Sequence, residues 1–167
     1  EKRGLAGLVS LTDHDNIDAP MMLSVLEASR NVPVSVEWSI PFGNTFFHLG
    51  VHNLGAARAQ SLYHWMASYT ETPVEHSLGE ILEELNADPG LLIVLNHPLW
   101  DEKGIGPLEH KRHVDRFLTQ YKHNIHALEL NGFRPWRENL RTMDLAEEAG
   151  VPVVGGGDRH GCEPNSI

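Results

Sequence analysis

The chain reads Val-Pro-Val-Val-Gly-Gly-Gly-Asp-Arg-His-Gly from residue 151 to residue 161, and this stretch decides the predicted fold. Apolar residues that run into three glycines predict a short buried strand opening into a loop with unrestricted backbone angles. Side chains alternate along an extended chain, so Asp158 and His160 are predicted to point the same way. A carboxylate beside an imidazole at a strand end suits a divalent metal, which predicts further ligands elsewhere in the chain.

Length and composition are those of one globular domain. The chain has 167 residues, of which 41% are hydrophobic, enough for a sizeable core. We interpret residues 1–167 as a single domain cut short at both ends, because the first residue is not methionine and a predicted strand follows almost at once. The one cysteine, Cys162, has no internal disulfide partner, which favours a reducing compartment such as the cytoplasm.

Charge and hydropathy limit the kinds of partner that the chain is expected to bind. A formal net charge of -10 argues against general nucleic-acid binding. No apolar run is long enough to cross a bilayer, so no membrane association is expected. Eleven histidines in so acidic a chain are a compositional anomaly.

Strand and helix patterns alternate along the chain. The predicted strands are 7–12, 34–40, 46–52, 91–95, 127–131 and 151–154, and the predicted helices are 20–30, 56–69, 77–86, 108–121 and 137–149. A turn is predicted between the second and third strands, and Asp18 is placed to cap the first helix. Strands that alternate with helices of this length predict a parallel α/β architecture.

Polar residues of metal-ligating type lie on or just after these strands. They are His14, Glu37, His48, His97, Asn131, Asp158 and His160. The carboxyl ends of parallel strands meet at one edge of a sheet or barrel, where the chemistry of such folds is found. The sequence therefore predicts that several strands direct ligands to one end of the fold.

Five short motifs follow one another in a fixed order. They are Thr12-Asp-His-Asp15, Glu37 followed by Phe47-His48-Leu-Gly50, Asn96-His97-Pro98, Glu129-Leu-Asn131, and Gly157-Asp-Arg-His160. Their order and spacing resemble those of the polymerase and histidinol phosphatase (PHP) family. The resemblance implies a distorted seven-stranded (βα)7 barrel, incomplete at its N-terminus because the family's opening His-x-His motif is missing. It also implies two or three divalent metal ions, zinc, manganese or iron.

The same resemblance implies the metal ligands, which are His14, Glu37, His48, His97, Asp158 and His160. Glu37 would bridge two metals, one of them completed by His48 and His97 and the other shared with Asp158. The two remaining histidines would serve a third metal. The substrate phosphate would be held by Arg159 and Arg134, with Asp13 placed to orient a ligand.

The function expected from this resemblance is that of a metal-dependent phosphoesterase, either a phosphatase or a phosphodiesterase. It would hydrolyse a small phosphorylated metabolite or nucleotide by metal-activated hydroxide. Two alternatives remain at this point: an amidohydrolase-type metal hydrolase, and a non-catalytic structural module of the same family.

Some of these residues also have structural interpretations. His48 alternates with apolar neighbours, as a hydrogen-bonded core histidine would, and Arg134 and Arg159 could form structural ion pairs. His110 and His113 lie near Lys111 and Arg112 on a predicted helix, which predicts a solvated face. His64 is expected to pack beside its aromatic neighbours.

Overall fold

The computed structural model describes residues 10–29 and 31–158. Its strands are β1 (Val34–Phe42), β2 (Thr45–Leu54), β3 (Leu92–Asn96), β4 (Ala127–Asn131) and β5 (Val153–Gly156). Its helices are α1 (Asp18–Ser24), α2 (Ala56–Glu71), α3 (Glu75–Asn86), α4 (Pro107–Tyr121) and α5 (Trp136–Ala149), with 3-10 turns at Glu27–Ser29 and Lys122–Asn124. Among the described residues, no helix combines the length and the apolar character needed to cross a membrane.

The strands form one open sheet in the order β1-β2-β3-β4-β5. β1 pairs with β2 and β2 with β3 in antiparallel fashion, whereas β3, β4 and β5 are parallel. The predicted (βα)7 barrel is therefore wrong for the described residues, because the sheet has five strands and β5 does not pair back to β1. The wider α/β class is confirmed, but the purely parallel arrangement is limited to β3, β4 and β5.

The connections explain the strand directions. Only Gly43 and Asn44 separate β1 from β2, and so short a turn can join only antiparallel neighbours. Gly43 has φ +64°, a backbone angle that favours glycine. Two helices lie between β2 and β3, so the chain returns to the end of the sheet where β2 stopped. A single helix precedes each of β4 and β5, and one crossover helix produces a parallel pair.

The two faces of the sheet differ in chemistry. Val36, Trp38 and Ile40 of β1 belong to the hydrophobic core, together with apolar residues from the later strands and the helices. Trp38 is anchored there, since its Nε1 donates to the Met66 carbonyl at 3.1 Å and to Thr70 Oγ1 at 2.9 Å. The alternate β1 positions, including Glu37, face the other way. One face therefore builds the core, and the other is left for polar side chains.

The N-terminal segment departs from its predictions. In the described residues, predicted strand 7–12 is reduced to one isolated parallel bridge, Leu11 with Val34; residues 7–9 lie outside the described part. A second parallel bridge, His14 with Glu37, lies beyond the predicted end of that strand. The predicted helix 20–30 is split into α1 and a 3-10 turn. Asp18 is the first helical residue and makes no capping bond with its side chain. Its backbone N–H donates to Asn16 Oδ1 at 2.6 Å, so the asparagine side chain takes the role predicted for Asp18.

The predicted solvated face at His110 and His113 is wrong. His110 is only 2% exposed, and its Nε2 donates to the Pro98 carbonyl at 2.9 Å. It lies on the stripe of α4 that also buries Val114 and Phe117, at the helical spacing that brings side chains to one face. His113 packs against the β1–β2 turn. His64 on α2 is exposed, but its ring lies 5.7 Å from that of Tyr63, one of the aromatic neighbours beside which it was predicted to pack. Lys111 and Arg112, which separate the two histidines in the sequence, led to the wrong prediction of which side of α4 faces the sheet.

Candidate metal centre

Glu37 lies at the centre of a cluster of three histidines. Glu37 is only 6% exposed on the polar face of β1. His97 Nε2 is 3.2 Å from Oε1, His48 Nδ1 is 3.9 Å from Oε1, and His14 Nε2 is 3.8 Å from Oε2. Four segments that are distant in sequence thus place nitrogen and oxygen donors around one point.

Backbone pairing brings these segments together. The parallel bridge between His14 and Glu37 is held by two bonds, from Glu37 N to the Asp13 carbonyl at 3.0 Å and from Asp15 N to the Glu37 carbonyl at 2.9 Å. His48 on β2 lies opposite Asn96 at the end of β3, so the next residue, His97, projects from the same edge. Because β2 runs against its neighbours, His48 lies near its amino end, whereas the other strands contribute from their middle or carboxyl end.

A glycine makes room for the side chains of His52 and Asn96 beside Glu37. Gly50 is the cross-strand partner of Glu37, and a Cβ at Gly50 would lie 2.6 Å from His52 Nε2 and 3.1 Å from Asn96 Oδ1. Those contacts are closer than real Cβ atoms tolerate without movement of their neighbours. Asn96 uses the space to donate from Nδ2 to Glu37 Oε1 at 3.0 Å. The carboxylate is therefore oriented by an amide as well as by the histidines.

Asp158 follows β5 and lies beside this cluster. Asn131 Nδ2 donates to Asp158 Oδ2 at 2.9 Å, and the Asp158 charge acts on both His48 and His97. The Asp158 carboxylate therefore lies on the same side of the sheet as the cluster, and its role as a shared metal ligand stays a prediction.

Backbone strain is concentrated around Glu37. Among the described non-glycine residues, four have positive φ, and three of them are Asp15 (+47°), His97 (+27°) and Asp158 (+38°). Such conformations are unfavourable for residues with a Cβ and persist only where the surroundings enforce them. Strain at these three positions supports a functional role for this end of the sheet.

The surroundings keep Glu37 charged. Burial alone would raise the pKa of its carboxyl group, but hydrogen bonds from His97 and Asn96 and the charges on His14 and His97 outweigh burial. The pKa falls from 4.5 to about 2. A permanently ionised carboxylate is what a cation site requires.

The two buried histidines respond in opposite ways. Burial lowers the pKa of His48 from 6.5 to about 4, so its imidazole is neutral and has a lone pair at neutral pH. Burial also acts to lower the pKa of His97, but its hydrogen bond to Glu37 and the Glu37 charge reverse the sign and raise it. A histidine must be neutral to bind a metal, so metal binding at His97 would displace the proton that its imidazole directs at Glu37.

Acid should destabilise the metal-free protein through His48. Its pKa is about 4 when folded and 6.5 when unfolded, so the unfolded chain binds more protons between those values. The free energy of unfolding should therefore fall as pH decreases from 6.5 to 4, by about 3 kcal/mol from this residue. Urea denaturation in EDTA, compared with His48→Asn at each pH, isolates this contribution from that of the other titrating groups. Parallel stability curves for the two proteins would contradict the prediction.

The cluster fits a divalent metal by its donor chemistry. Single donor atoms of His14, Glu37 and His48 all lie within 4.8 Å of one another, and His97 adds a fourth donor beside Glu37. Imidazoles combined with a carboxylate suit zinc, iron or manganese. A metal held by three of these protein ligands would keep a coordination position open for water or substrate.

The remaining predicted residues have mixed outcomes. Asp13 contributes its backbone carbonyl to Glu37, while its side chain is exposed. Arg134 forms a bidentate ion pair with Glu138 at 2.8 and 2.9 Å and stacks 4.9 Å above the Trp100 ring. Arg159 and His160 lie outside the described residues, so their roles stay predictions.

Sequence reasoning did not assign Glu129, which is buried on β4. Burial raises the pKa of its carboxyl group, and its Oε2 accepts from the His97 backbone N–H at 3.0 Å. One signal in the sequence could have identified Glu129. It is two residues from Asn131 on a predicted strand, so both side chains are expected on the face of the sheet that carries the site.

An open cleft of about 1120 Å³ lies on the polar face of the sheet. Its lining includes His14, Glu37, Asn96, Glu129 and Asp158, together with the glycines of β5. A cleft of this size accommodates a small organic molecule beside the cluster.

Comparison with known proteins adds no assignment. No protein-family model matches the chain, and no curated protein matches it either. A proposal for the function of this chain therefore rests on the side chains of the site and on the order of the motifs.

Proposed function

We propose that the chain is a metal-dependent phosphoesterase that hydrolyses a small phosphorylated metabolite or nucleotide. The observation that carries this proposal is the convergence of His14, His48 and His97 on the buried, ionised Glu37. The resemblance of the motif order to the PHP family supports the same activity. Membership of that family is part of the proposal.

The described residues that would hold the metals are His14, Glu37, His48, His97 and Asp158. Bound divalent ions would lower the pKa of a coordinated water towards 7 and neutralise charge on the phosphoryl oxygens. Glu37 supplies a fixed negative charge, and Asn96 holds its orientation. His48 contributes a neutral imidazole that is shielded from solvent.

Arg134 is the described candidate for binding the substrate phosphate. Its Nε and one terminal nitrogen bond Glu138, which leaves the other terminal nitrogen of the guanidinium as a donor. The Trp100 ring lies 5.0 Å from the His97 ring and 4.9 Å from the guanidinium, so Arg134 is near the cluster. An anion bound there would meet a positive charge whose position is fixed by an ion pair and an aromatic ring.

The proposal is tested by metal content and by activity. Metal-loaded protein is expected to hold at least one zinc, manganese or iron ion by mass spectrometry and to hydrolyse an aryl phosphate. His97→Ala is expected to reduce turnover about 100-fold or more, because even residues that only support metal ligands contribute 10–100-fold. His64→Ala, which removes an exposed histidine from α2, is the matched control and should leave activity unchanged.

Other outcomes would favour the alternatives. A metal-free, inactive protein would favour the structural module, in which Glu37 and His97 are simply a buried ion pair. Metal-dependent hydrolysis of amides without hydrolysis of phosphate esters would favour the amidohydrolase-type enzyme.

A further inference from the structure

Strand β4 lies between the strands that carry two of the proposed ligands. β3 ends just before His97, and β5 ends two residues before Asp158. On β4, Glu129 and Asn131 are both buried and face the site. Glu129 Oε2 accepts from His97 N at 3.0 Å and from Asn131 Nδ2 at 3.3 Å, and the same Nδ2 donates to Asp158 Oδ2 at 2.9 Å.

The orientation of the Asn131 amide is determined by its other contacts. Its Oδ1 accepts from Phe133 N at 2.8 Å, so its Nδ2 must face the two carboxylates. Asn139 on α5 holds the Asn131 backbone from both sides, accepting from its N–H at 3.0 Å and donating to its carbonyl at 2.9 Å. Asn131 is thus a fixed bridge between Glu129 and Asp158.

The Glu129 carboxylate also packs closely against the backbone of β5. A Cβ built on Gly156 would lie 1.6 Å from Glu129 Oε1 and 2.4 Å from Cδ. No side chain can occupy that position while Glu129 keeps its conformation. The glycine run after Val154 therefore admits the carboxylate of the neighbouring strand.

We propose that Glu129 is a positioning residue that, together with Asn131, sets the backbone of His97 and the carboxylate of Asp158 for metal binding. This inference rests on the metal centre of the proposed function. His97 has φ +27°, and the bond from its N–H to Glu129 helps to hold that unfavourable backbone. Glu129 itself acts through hydrogen bonds and does not ligate the metal.

A conservative substitution distinguishes a residue that positions the metal ligands from one that binds the metal itself. Both partners of Glu129 Oε2 are donors, so the oxygen of a glutamine amide can accept the same two bonds. Glu129→Gln should therefore bind metal with nearly the wild-type affinity, whereas Glu129→Ala removes the acceptor altogether. A metal-ligating carboxylate would instead lose affinity in both variants.

Calorimetric titration of EDTA-stripped protein with Mn²⁺ measures these differences. Glu129→Ala is expected to bind Mn²⁺ about 10–100-fold more weakly than wild type, and Glu129→Gln within about 3-fold of it. Glu84→Ala, which removes an exposed partner of Arg58, should match the wild type. Circular dichroism verifies that each variant is folded.

Gly156→Ala perturbs the Glu129 carboxylate from the neighbouring strand β5. The new methyl group must displace Glu129, so the loss of Mn²⁺ affinity should approach that of Glu129→Ala. The double variant Gly156→Ala with Glu129→Ala should be no worse than Glu129→Ala alone, because the clashing carboxylate is gone. Additive losses would overturn the proposed contact and the role derived from it.

The backbone amide of His97 provides a readout that needs no metal. Its proton resonance should move upfield in Glu129→Ala, where the bond to the carboxylate is lost, and stay close to wild type in Glu129→Gln. An unchanged resonance in Glu129→Ala, or equal loss of Mn²⁺ affinity in both Glu129 variants, would overturn the positioning role. Wild-type protein that binds no Mn²⁺, Zn²⁺ or Fe²⁺ would overturn the proposed function, and the amide resonance would still decide the role of Glu129.

Discussion

Replacing Glu37 with glutamine is expected to weaken Zn²⁺ or Mn²⁺ binding by at least about 100-fold and to abolish phosphate-ester hydrolysis. The substitution keeps the size of the side chain but removes the negative charge that His14, His48 and His97 surround. As a proposed direct ligand, Glu37 should matter more than residues that only support ligands, which contribute 10–100-fold. Calorimetric titration gives the affinity, and turnover of an aryl phosphate gives the activity.

The matched control is Glu84→Gln, because Glu84 also pairs with a cation but is exposed on α3. It should leave metal affinity and activity unchanged. Unaltered metal affinity in Glu37→Gln would show that the histidine cluster is not the metal site. Thermal unfolding of the metal-free variant separates loss of ligand from loss of structure, since breaking a buried ion pair is itself destabilising.

Replacing Trp38 with alanine should give the largest loss of stability, about 3–5 kcal/mol. Trp38 is only 1% exposed, contacts the Tyr69 ring edge-on with centroids 5.9 Å apart, and is among the largest fully buried side chains. Truncation would leave a cavity between β1 and α2 and remove the indole bonds to Met66 and Thr70. Since domains of this kind are stable by roughly 5–15 kcal/mol, a large share of the total would be lost. Urea denaturation followed by circular dichroism measures the change.

Trp136→Ala removes the same side chain from a site that is 65% exposed, at the first residue of α5. Its effect should stay within about 0.5 kcal/mol, as is usual for surface substitutions. Similar losses in the two variants, or a loss below about 1 kcal/mol for Trp38→Ala, would contradict the assignment of Trp38 to the core.

Most secondary-structure elements were predictable because their signals are local. β4 occupies the predicted residues 127–131, and α2, α4 and α5 begin within one residue of their predicted starts. The hairpin turn before Thr45 was also predicted, from a proline and a glycine beside an asparagine. Apolar periodicity and turn-forming residues act within a few positions, so a single sequence contains them in full.

The candidate site was predictable in its residue types but not in its contacts. Polar residues beside predicted strand ends led to Glu37, His48 and His97, which the structure brings together. Glu129 was not assigned, because its role follows from bonds to residues on two other strands. His110 was misassigned because the face of α4 that packs on the sheet is set by the tertiary structure.

By itself, the sequence determined the approximate limits of five strands and of most helices, and it identified the polar residues that make up the candidate site. Only the tertiary structure decided that β1, β2 and β3 are antiparallel, that the described sheet is open, and that Glu37 is the centre of the cluster. The physical reason is the sequence separation over which each interaction acts. Helix and strand propensities depend on neighbouring residues, whereas strand pairing and ligand geometry depend on contacts between segments separated by tens of residues, such as Glu37 and His97.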